Sequence, residues 1–237
     1  MTKQIVVGVL ALQGAFIEHI NFFTKATEAH NYVYDFKFIE VKTKEQLLQC
    51  HGLVIPGGES TSISLIAEAT GLLDPLYKLI QSDVPVWGTC AGLIFLAKQI
   101  RNGKVGQKLL GGLDIEVTRN AFGRQLDSFE TDLDYSSFIS GVTKFNTVFI
   151  RAPVVTAVLS KSSPTGDPDV IYSENNYRNP APIQVLSSVK RSDKELIVAV
   201  RQGNKLGTSF HPELSNDDYR FHKWFLDEFV VKHFETL

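Results

Sequence analysis

Cysteine is scarce in this chain, with two in 237 residues, Cys50 and Cys90. Two thiols cannot build a disulfide framework for a chain of this length, and they fit a reducing compartment, so a cytoplasmic protein is expected. Zinc signatures are missing too. Neither a His-Glu-x-x-His run nor paired Cys-x-x-Cys spacing occurs, so a metal mechanism has no ligand set, and no metal or other cofactor is expected. There is no excess of charge of either sign. Lys plus Arg number 24 against 26 Asp plus Glu, for a formal net charge of −2, which leaves no electrostatic footprint for nucleic acid or an anionic membrane. No apolar run approaches the roughly 20 residues of a membrane span. The opening MTKQIVVGVLALQGAF carries only Lys3 ahead of its apolar part and reads as a first strand rather than a cleavable signal. No fixed-period repeat is present. Apolar material, by contrast, is plentiful: 43% hydrophobic with 21% charged residues is the composition of a globular chain. A fold of this mass removes roughly 70% of its unfolded surface from water, enough for a sizeable core.

Residues 5–12, IVVGVLAL, form a short continuous apolar run rich in β-branched side chains, the signature of a strand buried on both faces of a parallel sheet. After Gln13-Gly14 the period becomes helical, with Phe16, Ile20, Phe23 and Thr27 on one stripe. Further strands are expected at 33–41, 52–55 and 84–87, and helices at 44–49, 62–69, 72–81 and 91–100. This alternation predicts an α/β fold, a doubly wound mixed sheet flanked by helices in a single domain spanning 1–237. Sites in such folds lie at the carboxyl ends of the strands. Beyond residue 105, short extended runs at 115–118, 147–150, 154–159, 183–189, 196–201 and 205–210 suggest a mainly antiparallel extension. Residues 217–234 suggest a C-terminal helix. The segment 160–182, dense in Ser, Pro, Asn, Asp and Gly, reads as an exposed loop insertion without chemistry of its own.

The sharpest chemical signal is Gly88-Thr89-Cys90-Ala91-Gly92 between an expected strand and an expected helix. It has the form of a nucleophile elbow with cysteine in the serine place, the glycines permitting the tight turn that pushes one side chain out over the sheet. A thiol there also sits at a helix N-terminus, which favours thiolate. Cys50, in LLQCHG, has no such framing and reads as structural. A nucleophilic cysteine needs a base and an orienter. His19, His222 and His233 fall on expected helices among polar neighbours, and His30 and His51 in turn-like places, so each reads as solvated or packing. His211 differs, because it follows an expected strand and opens His211-Pro212-Glu213. In an extended segment i and i+2 share a face, so Glu213 can hold the imidazole in one tautomer. The order Cys, His, Glu, with the last two nearly adjacent, departs from the α/β-hydrolase order, in which the acid precedes the histidine. Pro56-Gly57-Gly58-Glu59-Ser60-Thr61 offers a strand end, two glycines and a helix start with a Ser/Thr cap. Its backbone amides suit an oxyanion site, and the Lys of a phosphate-binding Walker loop is absent.

Together GTCAG at 88–92, PGGEST at 56–61 and SFHPEL at 209–214 resemble a class I glutamine amidotransferase domain. LALQGAFIEH at 10–19, TRNAFGRQLDSFE at 118–130 and FIRAP at 149–153 narrow the resemblance to the family of glutaminase subunits of pyridoxal 5′-phosphate synthase. The match covers nearly the whole chain, with 160–182 the departure, since many members have a much shorter connection there. The resemblance implies hydrolysis of L-glutamine to glutamate and ammonia, with Cys90 forming a glutamyl thioester, His211 as acid/base and Glu213 orienting it. It implies an oxyanion site from Gly57, Gly58 and the Ala91 amide, and glutamine held by Gly58, Glu59, Ser60, Arg119, Ile150 and Arg151. A guanidinium at Arg119 suits an α-carboxylate. Gln13 matches a position that couples to the partner. The implied partner is a synthase subunit, a (β/α)8 barrel, in a large hetero-oligomer that receives the ammonia for vitamin B6 synthesis. A glutaminase serving another acceptor, such as imidazole glycerol phosphate synthase, shares the elbow and HPE but not LALQGA or RNAFGRQ. A catalytically silent regulatory module of the same fold would be marked by a lost nucleophile, and Cys90 is present.

Overall fold

In the computed structural model, residues 3–119, 128–160, 166–191 and 193–237 are described. The first strand, β1 (Gln4–Leu10), alternates its side chains between two cores. Ile5, Val7 and Val9 point into one and Leu10 into the other. The same division recurs in β3 (Gly52–Ile55), where Val54 faces one core and Leu53 and Ile55 the opposite one. That two-sided burial is why these segments read as unbroken apolar runs.

β1 pairs in parallel with β2 (Asp35–Val41) and β3, and β3 with β4 (Val86–Thr89). β13 (Lys205–Thr208) lies parallel on the far side of β4. The resulting order 2-1-3-4-13 is that of a flavodoxin-like doubly wound sheet, with the late strand β13 in the fifth place. Helix α1 (Phe16–Glu28) and a C-terminal helix that opens as α6 (Arg220–Phe225) cover one face. α3 (Ser60–Ala69), α4 (Leu73–Gln81) and α5 (Ala91–Leu96) cover the other, and a short α2 (Lys44–Leu47) follows β2. The C-terminal helix passes through a π-helical stretch at Leu226–Val231. No helix among the described residues is long and apolar enough to cross a membrane.

The sheet continues beyond β13 through β12 (Lys194–Gln202), β9 (Val154–Val158), β6 (Leu113–Thr118) and β5 (Ala97–Arg101) to an edge strand β10 (Val170–Tyr172), while β11 (Ile183–Arg191) also pairs with β12. The expected antiparallel character holds for these pairings except β5–β6, which is parallel. A separate hairpin joins β7 (Ser128–Leu133) to β8 (Phe145–Ile150).

Three expectations are corrected. The helix expected over 91–100 ends at Leu96; Ala97 turns extended, with ψ 156°, and the chain becomes β5. Its first six residues are buried on every side, so no polar face exists to reveal the period. The segment 160–182 is not wholly a solvated loop. Within it β10 pairs with β5, and Asn175 is buried, donating through Nδ2 to the Leu110 carbonyl at 2.9 Å. Finally, the buried face of α1 is His19, Phe22, Phe23 and Ala26, rotated from the expected stripe.

Candidate active site

Four neighbouring parallel strands deliver the chemistry. β1, β3, β4 and β13 end on one side of the sheet, in register Ile55 beside Gly88 and Thr208 beside Thr89. Each strand is followed within a few residues by part of the site: Gln13 after β1, Gly57 to Glu59 after β3, Cys90 after β4 and His211 after β13.

Cys90 sits at φ 48° and ψ −99°, a region that non-glycine residues rarely occupy and that costs about 1–3 kcal/mol to hold. The turn is kept there by the Cys90 N–H donating to the Thr208 carbonyl at 2.7 Å and by close packing of the flanking glycines. A Cβ on Gly88 would strike the Gly92 carbonyl, and one on Gly92 the Ile55 carbonyl. Both glycines of the GTCAG elbow are therefore required by space. α5 is only six residues long, so its dipole is a small influence on the thiol beside the nearer charge of His211.

His211 is placed by its backbone, whose N–H donates to the Val148 carbonyl on β8 at 2.8 Å. A 3₁₀ turn, Pro212–Leu214, replaces the expected extended segment, and it still brings Glu213 under the ring. Glu213 Oε1 accepts from His211 Nδ1 at 2.8 Å, with the carboxylate fully buried. This leaves Nε2 for Cys90. Burial pulls the His211 pKa down, but hydrogen bonding to Cys90 and Glu213 outweighs it, and the ring is pushed up to about 10. Burial raises the Glu213 carboxyl, and the favourable charges and hydrogen bonds of His19 and His211 overcome that to hold it below its usual value. Gly57 is the gap in which ring and thiol meet. A Cβ there would collide with the His211 ring and come within 3.5 Å of Cys90 Cβ. The thiol Sγ also lies 3.8 Å from the Ile150 carbonyl.

The cleft around Cys90 has a volume of about 520 Å³. Gln13, Gly58, Glu59, Ser60, Ala91, Arg119, Ile150, Arg151 and His211 line it with Cys90, as the sequence suggested. Gly57 and Glu213 lie just behind this wall. Asn120 and the rest of 120–127, most of the motif around RNAFGRQ, lie outside the described residues. Glu59, rather than a Ser or Thr, caps α3, its carboxylate accepting from Ser62 N at 2.8 Å and Thr61 N at 3.3 Å. Burial raises the Glu59 carboxyl, but these hydrogen bonds prevail and hold it down to about 2. Glu59 Oε1 also meets Arg119 Nη2 at 3.0 Å, and Arg119 Nη1 reaches Gln107 Oε1 at 3.3 Å. Gln107 in turn donates to Ser60 Oγ at 2.9 Å. The Gln13 side chain accepts from Glu59 N at 2.7 Å, and the Gly57 carbonyl accepts from Ala15 N at 3.1 Å.

Sequence reasoning missed Ile94 and Lys104 on the cleft wall, and Gln107 behind it. Of the histidines read as solvated or packing, two prove to be packed in the core. His19 and His222 are fully buried beneath Glu213. Their signal was present, because His19 stands at helical spacing with Phe22, Phe23 and Ala26. Cys50 is buried away from the cleft, and burial pushes its thiol up to about 12.

A family model for the SNO glutamine amidotransferase family matches residues 9–231. The chain belongs to that family. Among relatives of this SNO-family chain, the pyridoxal 5′-phosphate synthase subunit SNO1 of Saccharomyces cerevisiae is 45% identical over 227 residues, 95% of this chain and 93% of the relative. The pyridoxal 5′-phosphate synthase subunit PdxT of Herpetosiphon aurantiacus is 43% identical over 221 residues, 93% of this chain and 98% of the relative. A solved glutamine amidotransferase structure superposes with a TM-score of 0.71 at 39% identity, covering 95% of this chain and 98% of that one. The mixed α/β fold with helices on both faces is thus that of a glutamine amidotransferase.

Proposed function

We propose that this SNO-family chain hydrolyses the side-chain amide of L-glutamine and passes the ammonia to a pyridoxal 5′-phosphate synthase subunit, a (β/α)8 barrel in a large hetero-oligomer. The observation that carries the reading is the 2.8 Å contact of His211 Nδ1 with the buried Glu213, which leaves Nε2 for the strained Cys90. The Cys90 sulfur attacks the amide carbon, and the carbonyl oxygen becomes an oxyanion facing the amides of Gly58 and Ala91. First-turn helix amides such as that of Ala91 have no partner within their own helix. His211 Nε2–H then protonates the leaving nitrogen, the C–N bond breaks and ammonia departs. The glutamyl thioester is hydrolysed by water, which gives its proton back to His211, and glutamate leaves as the C–S bond breaks.

The remaining wall suits an amino-acid head group. Glu59 and Arg119 present a carboxylate and a guanidinium 3.0 Å apart, opposite in sign to the ammonium and carboxylate of a zwitterion. Two of the relatives are named as subunits of pyridoxal 5′-phosphate synthase, which supports that acceptor.

The test is glutamate release by the Cys90→Ala protein in the presence of the synthase subunit. Release should fall to about a thousandth or less of the parent rate, with the circular dichroism melt retained. Cys50→Ala, outside the cleft, should keep most of the activity. A folded Cys90→Ala protein that still turns over glutamine overturns the reading.

A further inference from the structure

Beneath the His211–Glu213 pair lies a second set of buried polar groups that the proposed chemistry does not use. Among the described residues Glu213 Oε2 has no hydrogen-bond partner, although it is fully buried. The nearest cationic or donor group recorded for it is His19 Nε2 at 3.4 Å, which also lies 3.3 Å from Thr89 Oγ1. His19 Nδ1 in turn stands 2.9 Å from His222 Nε2. His222 Nδ1 is without a partner among the described residues. Trp87 packs against both rings, and Phe22 and Phe23 against that of His222.

Hydrogen-bond bookkeeping fixes the protons. An orphaned buried N–H is rarer and costlier than an orphaned acceptor, so the unpartnered His222 Nδ1 is the bare nitrogen. His222 Nε2–H then donates to His19 Nδ1, and His19 must carry its proton on Nε2, aimed between Thr89 and Glu213. Glu213 Oε1 accepts from His211 Nδ1–H, which leaves His211 Nε2 toward the cleft. Burial lowers the pKa of both His19 and His222. The charged groups facing His19 are Glu213 and His211 from the 3₁₀ turn and its N-cap, and Glu18 from its own helix.

Resting on the Cys90–His211–Glu213 reading above, we propose that His19, backed by His222, is a positioning residue. Its Nε2, 3.4 Å from the second oxygen of Glu213, steadies that oxygen electrostatically and so sets the tautomer and basicity of His211. α1 thereby contributes to the site from beneath, without touching substrate.

The experiment follows alkylation of Cys90 by iodoacetamide against pH, located by peptide mass mapping, together with steady-state glutamine hydrolysis in the presence of the synthase subunit. His19→Leu removes the donor in similar volume, and His19→Gln keeps an N–H within reach of Glu213. In His19→Leu the less stabilised Glu213 makes His211 a weaker base, so the midpoint of Cys90 alkylation moves to higher pH. The kcat falls about tenfold with KM changed less than about twofold, since a positioning loss is smaller than the loss of a base itself. His19→Gln recovers both readouts. His222→Phe, which keeps the ring packing, moves the midpoint in the same direction and covers the case in which His19→Leu does not fold. A folded His19→Leu or His222→Phe protein with the parent alkylation profile and kcat overturns the proposal. His211→Asn separates the two readings. If it too leaves Cys90 alkylation and turnover unchanged, the underlying reading falls. If it abolishes them while the His19 and His222 variants behave as the parent, only the role of His19 falls.

Discussion

At the scale of single residues, the two buried histidines give the protein an acid sensitivity with a definite sign. Burial lowers the pKa of both His19 and His222. In the unfolded chain each binds a proton below about pH 6.5, while in the folded chain protonation of both is shifted to lower pH, that of His222 furthest. Their contribution to stability is thus present above about pH 6.5 and is lost as pH falls below it, at up to about 1.4 kcal/mol per pH unit for His222. His211 works in the opposite direction and in another window. Raised to about 10, it contributes stability that is complete below about 6.5 and is lost as pH rises towards 10. Urea unfolding between pH 5 and 6.5 should show stability falling with acid in the parent protein. The slope in His222→Phe should be smaller by up to about 1.4 kcal/mol per pH unit. Parallel slopes would mean that His222 is protonated in the folded state.

At the scale of elements, the segment 160–182 shows how composition misleads. Its Ser, Asn and Pro content suggests solvation, yet Asn175 uses that polarity inside the fold. It donates to the Leu110 carbonyl at 2.9 Å and accepts from Tyr177 N at 3.0 Å and Gln81 Nε2 at 3.2 Å. Asn175→Ala leaves these groups unpaired and should cost about 1–3 kcal/mol by guanidinium denaturation. The kcat for glutamine should stay within about twofold, because β10 lies at the sheet edge across five strands from β4. Unchanged stability would restore the picture of a solvated loop. The sequence made legible those elements whose period was visible against polar neighbours. β1 and β3 were flanked by glycine turns, and α4 has a polar face. It hid those in which burial was complete or the hydrogen bonding was non-local. α5 runs into β5 through an apolar stretch with no marker at the exit, and β7 is a short strand of mixed character. The same distinction holds in the site. Cys90, His211 and Glu213 stood out because local spacing frames them. His19 meets Glu213 only through tertiary packing across nearly two hundred positions.

At the scale of the whole molecule, the turn from β1 into α1 is bolted onto the Gly57–Gly58 loop, the proposed oxyanion site. Ala15 N holds the Gly57 carbonyl at 3.1 Å, and the Gln13 side chain holds Glu59 N at 2.7 Å. A body docking on α1 can therefore set the plane of the Gly57–Gly58 peptide. A misdirected donor there costs about 3 kcal/mol of transition-state stabilisation, or about a hundredfold in rate. The isolated chain should accordingly hydrolyse glutamine slowly, and saturating synthase subunit should raise the rate by about that factor. Equal rates with and without the subunit would reject the coupling, and a Gln13→Ala protein that responds in full would reject the route. The place of β13 has a consequence of another kind. This strand leaves the ribosome after β1 to β12, yet it lies between β4 and β12 in the middle of the sheet. Until residue 208 has emerged, the nascent chain has an open β4 edge, an unanchored Cys90 turn and no His211. Synthesis thus withholds the geometry of the proposed nucleophile and its proposed base together. A polypeptide arrested partway through translation would lack both, and its bare strand edge would be open to pairing with other chains.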